Sequence, residues 1–347
     1  MKDDSLPTVA VTIVTYNSAR FIRRCLERVL DQDYLRKQIL VIDNASTDDT
    51  REILREFESL VPVIYNSENF GFSAAQNQAI AAAFPSDWVL TLNPDVSLTR
   101  TCITKMVEAG ESDPSIGSVC GKLLSASPDF DIPLNPIIDS TGIYFTPNLR
   151  HFDRGSKLSA DGRYERFEYV FGATGAAALY RRKMIDDVSI EGEFFDSDFF
   201  AYREDADVAW RAQLLGWKCL YTPKAVAYHV RNVLPSNRRT LPPVINMHSV
   251  KNRFLLRLKN TTGKLYLHHF FAITFRDLLV IGACLTHEFT SLRAFPFLLR
   301  NWRRTWAKRR EIMRRRRTSD DYISAWFSSQ PVSYPAADVS EKCASLC

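Results

Sequence analysis

Val9-Ala-Val-Thr-Ile-Val-Thr15, running straight into Tyr16-Asn17, is the stretch on which the fold turns. An unbroken run of β-branched and apolar residues suits a strand buried on both faces, as parallel sheets require. Directly after it, Phe21, Ile22, Cys25, Leu26, Val29 and Leu30 recur at helical spacing, so residues 18–30 read as a helix with one apolar side. The pattern then repeats. Ile39–Ile42 is a second strand, Thr47–Leu60 a helix, Val61–Tyr65 a strand, Ser73–Ala83 a helix and Trp88–Leu92 a fourth strand. Such alternation implies an α/β fold, a mostly parallel sheet with helices on both faces. No internal repeat or low-complexity linker interrupts it. Residues 125–168, rich in Pro, Asp, Ser and Gly, read as loops and short hairpins over the sheet.

In sheets of this kind ligands bind beyond the carboxyl ends of the strands. Three of those ends are polar: Thr15-Tyr16-Asn17, Asp43-Asn44-Ala45-Ser46-Thr47-Asp48 and Asn93-Pro94-Asp95. Carboxylates converging on one sheet edge repel one another unless a cation or a hydrogen-bond donor lies between them. Asp43 is placed to accept a hydrogen bond from the imide N–H of a uracil or thymine ring. Asp95 is placed to hold a hard divalent ion, Mg²⁺ or Mn²⁺, which favours oxygen ligands and substrate phosphates. The plainer readings are that Asp48 caps a helix and Asn93-Pro94-Asp95 is a turn.

Val-Thr-Ile-Val-Thr-Tyr-Asn17 followed by Val41-Ile-Asp-Asn-Ala-Ser-Thr-Asp48 resembles the family 2 glycosyltransferases of the GT-A, Rossmann-like fold. Asn69-Phe-Gly-Phe-Ser-Ala-Ala-Gln-Asn77 is similar to that family's Asn-x-Gly-Phe-Ala segment. Leu92-Asn-Pro-Asp95 corresponds to its Asp-x-Asp metal motif in the form common among rhamnosyltransferase-like members. Phe199-Phe-Ala-Tyr-Arg-Glu-Asp-Ala-Asp-Val-Ala-Trp-Arg211 matches its Glu-Asp block. The resemblance spans residues 8–235. It implies an inverting, metal-dependent transfer from a nucleotide diphosphate sugar, dTDP- or UDP-linked, with rhamnose as the favoured sugar. It also implies a donor cradle of Thr15, Tyr16, Asn17, Asp43, Asn44, Gly71, Asn77 and Asn93, with Thr174 and Gly175 letting sugar and acceptor approach the backbone. Asn93 departs from the motif's usual Asp, so metal binding leans on Asp95 and a ligand from elsewhere. His229, 24 residues after Asp205, is the ligand the resemblance supplies. Neutral imidazole suits Mn²⁺ and adds no charge beside a diphosphate. Asp205 takes the role of general base, with Glu204 supporting it at the start of an amphipathic helix that ends at Gly216.

Composition bounds the rest. The chain has 347 residues, 46% hydrophobic and 24% charged, enough for one substantial domain and an extension. Seven scattered cysteines without C-x-x-C spacing indicate neither a zinc knot nor a disulfide framework. The N-terminal Met-Lys-Asp-Asp-Ser-Leu-Pro has no apolar signal core, so a cytoplasmic setting is expected.

Charge is divided unevenly, −9 over residues 1–230 and +14 over residues 231–347. Three regions are expected: a catalytic domain at 1–235, a basic amphipathic helical region at 236–330 and a disordered tail at 331–347. In the second region Phe270, Phe271, Phe275, Leu278 and Leu279 are followed by Phe295, Trp302, Trp306 and clustered arginines. Its longest uncharged apolar run, Leu278–Leu285, is too short to span a bilayer. Such a segment suits a helix lying in an anionic membrane interface, at the inner face of the plasma membrane, with a glycan or lipid-linked glycan as acceptor. The alternative is helices packed on the catalytic domain. No recognised motif supports nucleic acid as a partner, and a purely nucleic-acid-binding protein leaves the acidic strand ends unexplained. A sugar-phosphate nucleotidyltransferase would carry a Gly-rich loop after the first strand, and Thr15–Arg24 has no glycine.

Overall fold

A computed structural model describes residues 6–83, 85–131, 133–231, 242–336 and 339. The strands and helices read from the N-terminal third are present with ends moved by up to three residues: β1 (Val9–Thr15), α1 (Ala19–Leu30), β2 (Lys37–Asp43), α2 (Thr50–Phe57), β3 (Val63–Tyr65), α3 (Phe72–Ala82) and β4 (Trp88–Leu92). β1 pairs in parallel with β2 and β4, and β2 with β3. Thr15 stands opposite Asp43, and Asp43 opposite Tyr65, so these strand ends share one edge. Alternate β1 side chains serve two cores. Val9, Val11 and Ile13 pack with Ile22, Cys25 and Leu26 of α1 and with Leu54 of α2. Val14, with Ile42, packs on Ala75 and Ala79 of α3. Helices therefore cover both faces.

Beyond β4 the sheet becomes mixed. β5 (Val96–Leu98) leads into α4 (Cys102–Glu111) and the long β6 (Ile116–Ser125). Short strands β7 (Ile138–Ser140), β8 (Ile143–Phe145), β9 (His151–Asp153) and β10 (Glu168–Val170) fill the loop-rich segment. β11 (Ala177–Arg181) then enters antiparallel between β4 and β6. After α5 (Arg182–Val188) and α6 (Glu204–Leu214), β12 (Lys218–His229) runs parallel to β6. It also pairs antiparallel with β5, in a register that sets His229 opposite Val96. His229 thus arrives beside Asp95.

The expected boundary at residue 235 is not a packing boundary. Residues 236–241 lie outside the described part. From 243 onward follow α7 (Pro243–Asn260), α8 (Gly263–His268), α9 (Phe270–Thr286), α10 (Ala294–Arg300), α11 (Trp302–Arg315) and α12 (Asp320–Ala325). Leu255, Ile273, Ile312, Ile323 and Phe327 join the same core as Phe145, Phe171 and Trp210. The Phe327 ring lies 5.0 Å from Trp210 and 5.3 Å from Phe145. The expected tail also needs correction. β13 (Tyr334–Pro335) adds to the sheet against β10, and Ala336 is buried. Pro335 is compatible with that place because an edge strand can spare one N–H. Residues 337, 338 and 340–347, with Cys343 and Cys347, lie outside the described part, as do residues 1–5.

Candidate active site

The first two strand ends form one hydrogen-bonded unit. Asp43 is fully buried; its Oδ1 accepts the Thr15 hydroxyl at 3.1 Å, and its Oδ2 accepts the Ser46 N–H at 3.2 Å and Arg51 Nε at 2.6 Å. In this structure the carboxylate expected to meet an imide N–H is turned to these three donors and braces the cradle. Arg51, absent from the sequence reading, is its counter-ion, and a buried carboxylate signals such a partner. Asn44 is committed in the same way. Its amide donates to Asn69 Oδ1 and the Gly71 carbonyl, and its oxygen accepts from Asn66 and the Phe70 N–H. Asn17 bridges the two loops, its Oδ1 accepting the Thr47 N–H at 2.8 Å. Asn77 holds both backbone groups of Phe195, so it fastens α3 to that segment. Gly71 serves packing as well: at φ +84° it lies where a Cβ would meet the Phe200 ring at 2.5 Å. Tyr16 is half exposed and, like Asn17, lies at the surface of the group. Asp48 takes the plainer role, accepting from the Ala19 N–H and from Thr50.

At the fourth strand end, Asn93-Pro94-Asp95 is a turn closed by the Val96 N–H on the Asn93 carbonyl, and it aims Asp95 at His229. Asp95 Oδ1 and His229 Nε2 stand 3.4 Å apart. Behind them, His229 Nδ1 lies 2.8 Å from Asp139 Oδ2. Arg231 then binds Asp139 Oδ1 at 2.9 Å and Asp153 Oδ2 at 2.6 Å. Asp139, Asp153 and Arg231 carry no motif and were not read from the sequence. Burial opposes an imidazolium at His229, but Asp139 and Asp95 outweigh it and raise its pKa to about 9. A cation would replace that proton. Two adjacent octahedral ligands at about 2.1 Å from an ion stand about 3 Å apart, close to the spacing found, so Asp95 and His229 fit a shared divalent ion. Asp139 supplies the carboxylate that fixes ring orientation in such sites. Among the described residues no three His, Cys, Asp or Glu side chains cage an ion alone. The remaining positions would fall to diphosphate oxygens and water.

The third element is the start of α6. Asp205 Oδ2 accepts the Gly175 N–H at 2.9 Å and Oδ1 the Ala206 N–H at 2.7 Å. Gly175 is small enough for this approach, since a Cβ there would sit 3.3 Å from that of Asp205. Thr174 beside it is buried. Burial raises the Asp205 pKa against those two N–H groups, and Asp153 and Arg231 act on it electrostatically. Asp205 and the Asp95–His229 pair thus share neighbours. Glu204 is buried too, and burial, with Asp205 and Asp207, pushes its pKa to about 8. Neutral Glu204 leaves the local negative charge to Asp205. Asp207 belongs to the framework, bound by Arg211, Lys259 and Asn260. The turn before α6 carries Phe200, Tyr202 and Arg203 at φ 65°, 71° and 72°. Each costs on the order of 1–3 kcal/mol, so surrounding contacts must hold them.

The family model for "Glycosyl transferase family 2" matches residues 10–189, just over half the chain. The chain belongs to glycosyl transferase family 2. A poly-beta-1,6-N-acetyl-D-glucosamine synthase of Staphylococcus aureus is 26% identical over 231 residues, 65% of this family 2 chain and 50% of the synthase. An O-antigen chain rhamnosyltransferase, RfbN, of Salmonella typhimurium is also 26% identical, over 65% of this chain and 68% of its own. The chain thus spans about half the length of the curated synthases it matches. Among solved structures, GalNAc-T7 with UDP, GalNAc and Mn²⁺ aligns with a TM-score of 0.59 at 15% identity, over 74% of this chain and 48% of its own. The Pyrobaculum calidifontis mannosyltransferase with GDP-Man and Mn²⁺ aligns at 0.50 and 16% identity, over 93% and 88%. These likenesses establish the GT-A fold for the family 2 chain.

Proposed function

We propose that the chain is an inverting, metal-dependent glycosyltransferase that uses Asp205 as general base and an Asp95–His229 pair as the hold for a divalent ion. The observation that carries this reading is the continuous line Asp95–His229–Asp139–Arg231–Asp153, whose last two members act on Asp205. Asp205 takes the proton of an acceptor hydroxyl as its oxygen attacks the anomeric carbon. The bond from that carbon to the diphosphate breaks, and the nucleoside diphosphate leaves with the electron pair. One displacement inverts the centre. A bound Mg²⁺ or Mn²⁺ would neutralise charge on the leaving diphosphate. Gly175 and Ala206 hold the base in place with their N–H groups, and neutral Glu204 adds no competing charge.

The Asn-Pro-Asp turn and the relation to a rhamnosyltransferase support dTDP-rhamnose as donor and a lipid-linked or cell-surface glycan as acceptor. No single described helix is long and apolar enough to cross a membrane. α9 nevertheless exposes Phe271, Phe275, Leu278 and Leu285 on one side, and α11 exposes Trp302 and Trp306 beside Arg303 and Arg310. This mixed surface supports a peripheral site on an anionic membrane, the inner face of the plasma membrane, where a lipid-linked acceptor would be met. Donor turnover measured across UDP-, dTDP- and GDP-sugars, with Mg²⁺, Mn²⁺ and chelator, tests the enzymatic reading. Activity undiminished by chelator would end the metal assignment.

A further inference from the structure

We propose that Asn252, on α7, is a positioning residue for Asp205, acting through the left-handed turn that delivers the base; this rests on the base role proposed above. The turn is unusual in one respect. Carbonyl oxygens of Phe199, Ala201 and Tyr202 converge on a single donor, the Asn252 amide nitrogen, at 2.9, 2.8 and 2.7 Å. Converging carbonyl dipoles repel one another, and a fully buried amide nitrogen with two hydrogens offsets that repulsion at one point. Lys251, the preceding residue, reaches the Asp198 carbonyl from the same helix. His248, one turn earlier, stacks on Phe200 with rings 4.8 Å apart and 10° from parallel.

The turn is also held at the start of α3. The Ser73 N–H donates to the Phe200 carbonyl at 3.1 Å, and Gly71 admits the Phe200 ring. A turn with three non-glycine residues at positive φ is thereby gripped from two helices and ends at Glu204-Asp205. Of the three carbonyls, that of Tyr202 belongs to a positive-φ residue, and those of Phe199 and Ala201 flank another, Phe200. Loss of the amide should let the turn relax toward ordinary φ values and move the first turn of α6 with it. A carboxylate that must stand within hydrogen-bond reach of an acceptor hydroxyl tolerates little displacement; a 1 Å misplacement can cost about 100-fold in rate. The donor cradle at Thr15, Tyr16 and Asn93 lies on other elements and should not notice the change.

The test compares Asn252→Ala, Asn252→Ser and Asp205→Asn, singly and combined, for kcat, donor Kd and Tm. Asn252→Ala should lower kcat roughly 10- to 100-fold with donor Kd within about twofold, and Asn252→Ser, which keeps one donor, should fall between it and the parent. In the Asp205→Asn background, Asn252→Ala should produce no further loss, because both act through one group. A folded Asn252 variant with full kcat overturns the proposal, as does additive loss in the double variant. If Asn252→Ala does not fold, Asn252→Ser carries the same comparison. Full turnover by Asp205→Asn would instead remove the base role, a failure separate from that of Asn252.

Discussion

His229 Nδ1 lies 2.8 Å from Asp139 Oδ2, and this buried contact joins the loop-rich 125–168 segment to the end of β12. Asp139 sits on β7, which pairs with β6, and His229 ends β12, which runs along the same strand. Asp139→Asn keeps the shape and removes the charge that orients the ring. Loss of such a carboxylate typically costs 10- to 100-fold in metal affinity. Titration of nucleotide diphosphate binding against Mn²⁺ should show that loss, with no change in binding measured in chelator. Unaltered Mn²⁺ dependence would show that Asp139 has no part in the ion site.

Asp205→Asn should reduce turnover by at least about 100-fold, the scale of general-base catalysis, while donor binding persists. Kinetics and equilibrium donor binding on one preparation check this. Turnover within a few-fold of the parent would remove the base assignment.

Much of this site could be read from sequence, for a physical reason. A buried parallel strand needs an unbroken apolar run, as in Val9–Thr15 and Trp88–Leu92, and its polar end is then conspicuous. Motifs also named Asp95, Asp205 and His229. What they could not convey is which polar groups are spent on the scaffold. Asn44 and Asn77 look like ligands in a linear motif, yet their amides close the loop at 66–71 and fasten Phe195. Asp139, Arg231 and Asn252 enter through contacts between residues 50 to 92 positions apart, so no local pattern marks them. The +14 charge of the C-terminal region likewise does not lie wholly at the surface. Part of it is internal: Lys259 and Lys308 are buried against Asp196, with Lys259 also on Asp207 and Lys308 on Asp198, and Arg304 pairs with Asp198.

That network predicts a stability effect. Burial disfavours ionised Asp196, but Lys259 and Lys308 outweigh it and hold its carboxyl far below the usual range. Because the folded value is depressed, the stabilisation is present above the ordinary carboxylate pKa near 4 and is lost progressively as pH falls below it. Lys308→Met leaves Asp198 and Asp196 short of a buried partner and should cost about 3–5 kcal/mol at pH 7. Denaturant unfolding at pH 7 and pH 3 checks both magnitude and direction. A loss under about 1 kcal/mol at pH 7 would mean the pair is screened like a surface one.

Glu204 should show the opposite slope. Its folded pKa, about 8, lies above the unfolded value near 4.5, so folding keeps a proton that the unfolded chain releases. Stability from this group is greatest below pH 4.5, declines as pH rises toward 8 and is level above that. Glu204→Gln removes the ionisation and should be more stable than the parent at pH 8, by on the order of 1–2 kcal/mol after allowance for solvent relaxation, and nearly equal to it at pH 5. Thermal melts at the two pH values decide it. Equal Tm differences at both would show that Glu204 is ionised throughout.

The exposed surface of α9 and α11 gives the remaining prediction. Phe271 is 86% exposed and Phe275 66%, one helical turn apart, with Leu278 next on the same side. Trp302 and Trp306 repeat this one-turn spacing on α11 at 58% and 50%. Removing the whole C-terminal region is an unsuitable test, because it takes Lys308, Trp326 and Phe327 out of the core. Phe271→Ser and Trp302→Ala alter surface alone and should leave Tm unchanged. Each basic side chain near an acidic leaflet contributes about 1 kcal/mol at low salt, and the aromatic contribution survives screening. Co-sedimentation with anionic vesicles should therefore weaken without vanishing as salt rises, and weaken further in Phe271→Ser combined with Trp302→Ala. Intact protein left in the supernatant at low salt would end the membrane reading and leave those aromatics to a protein partner.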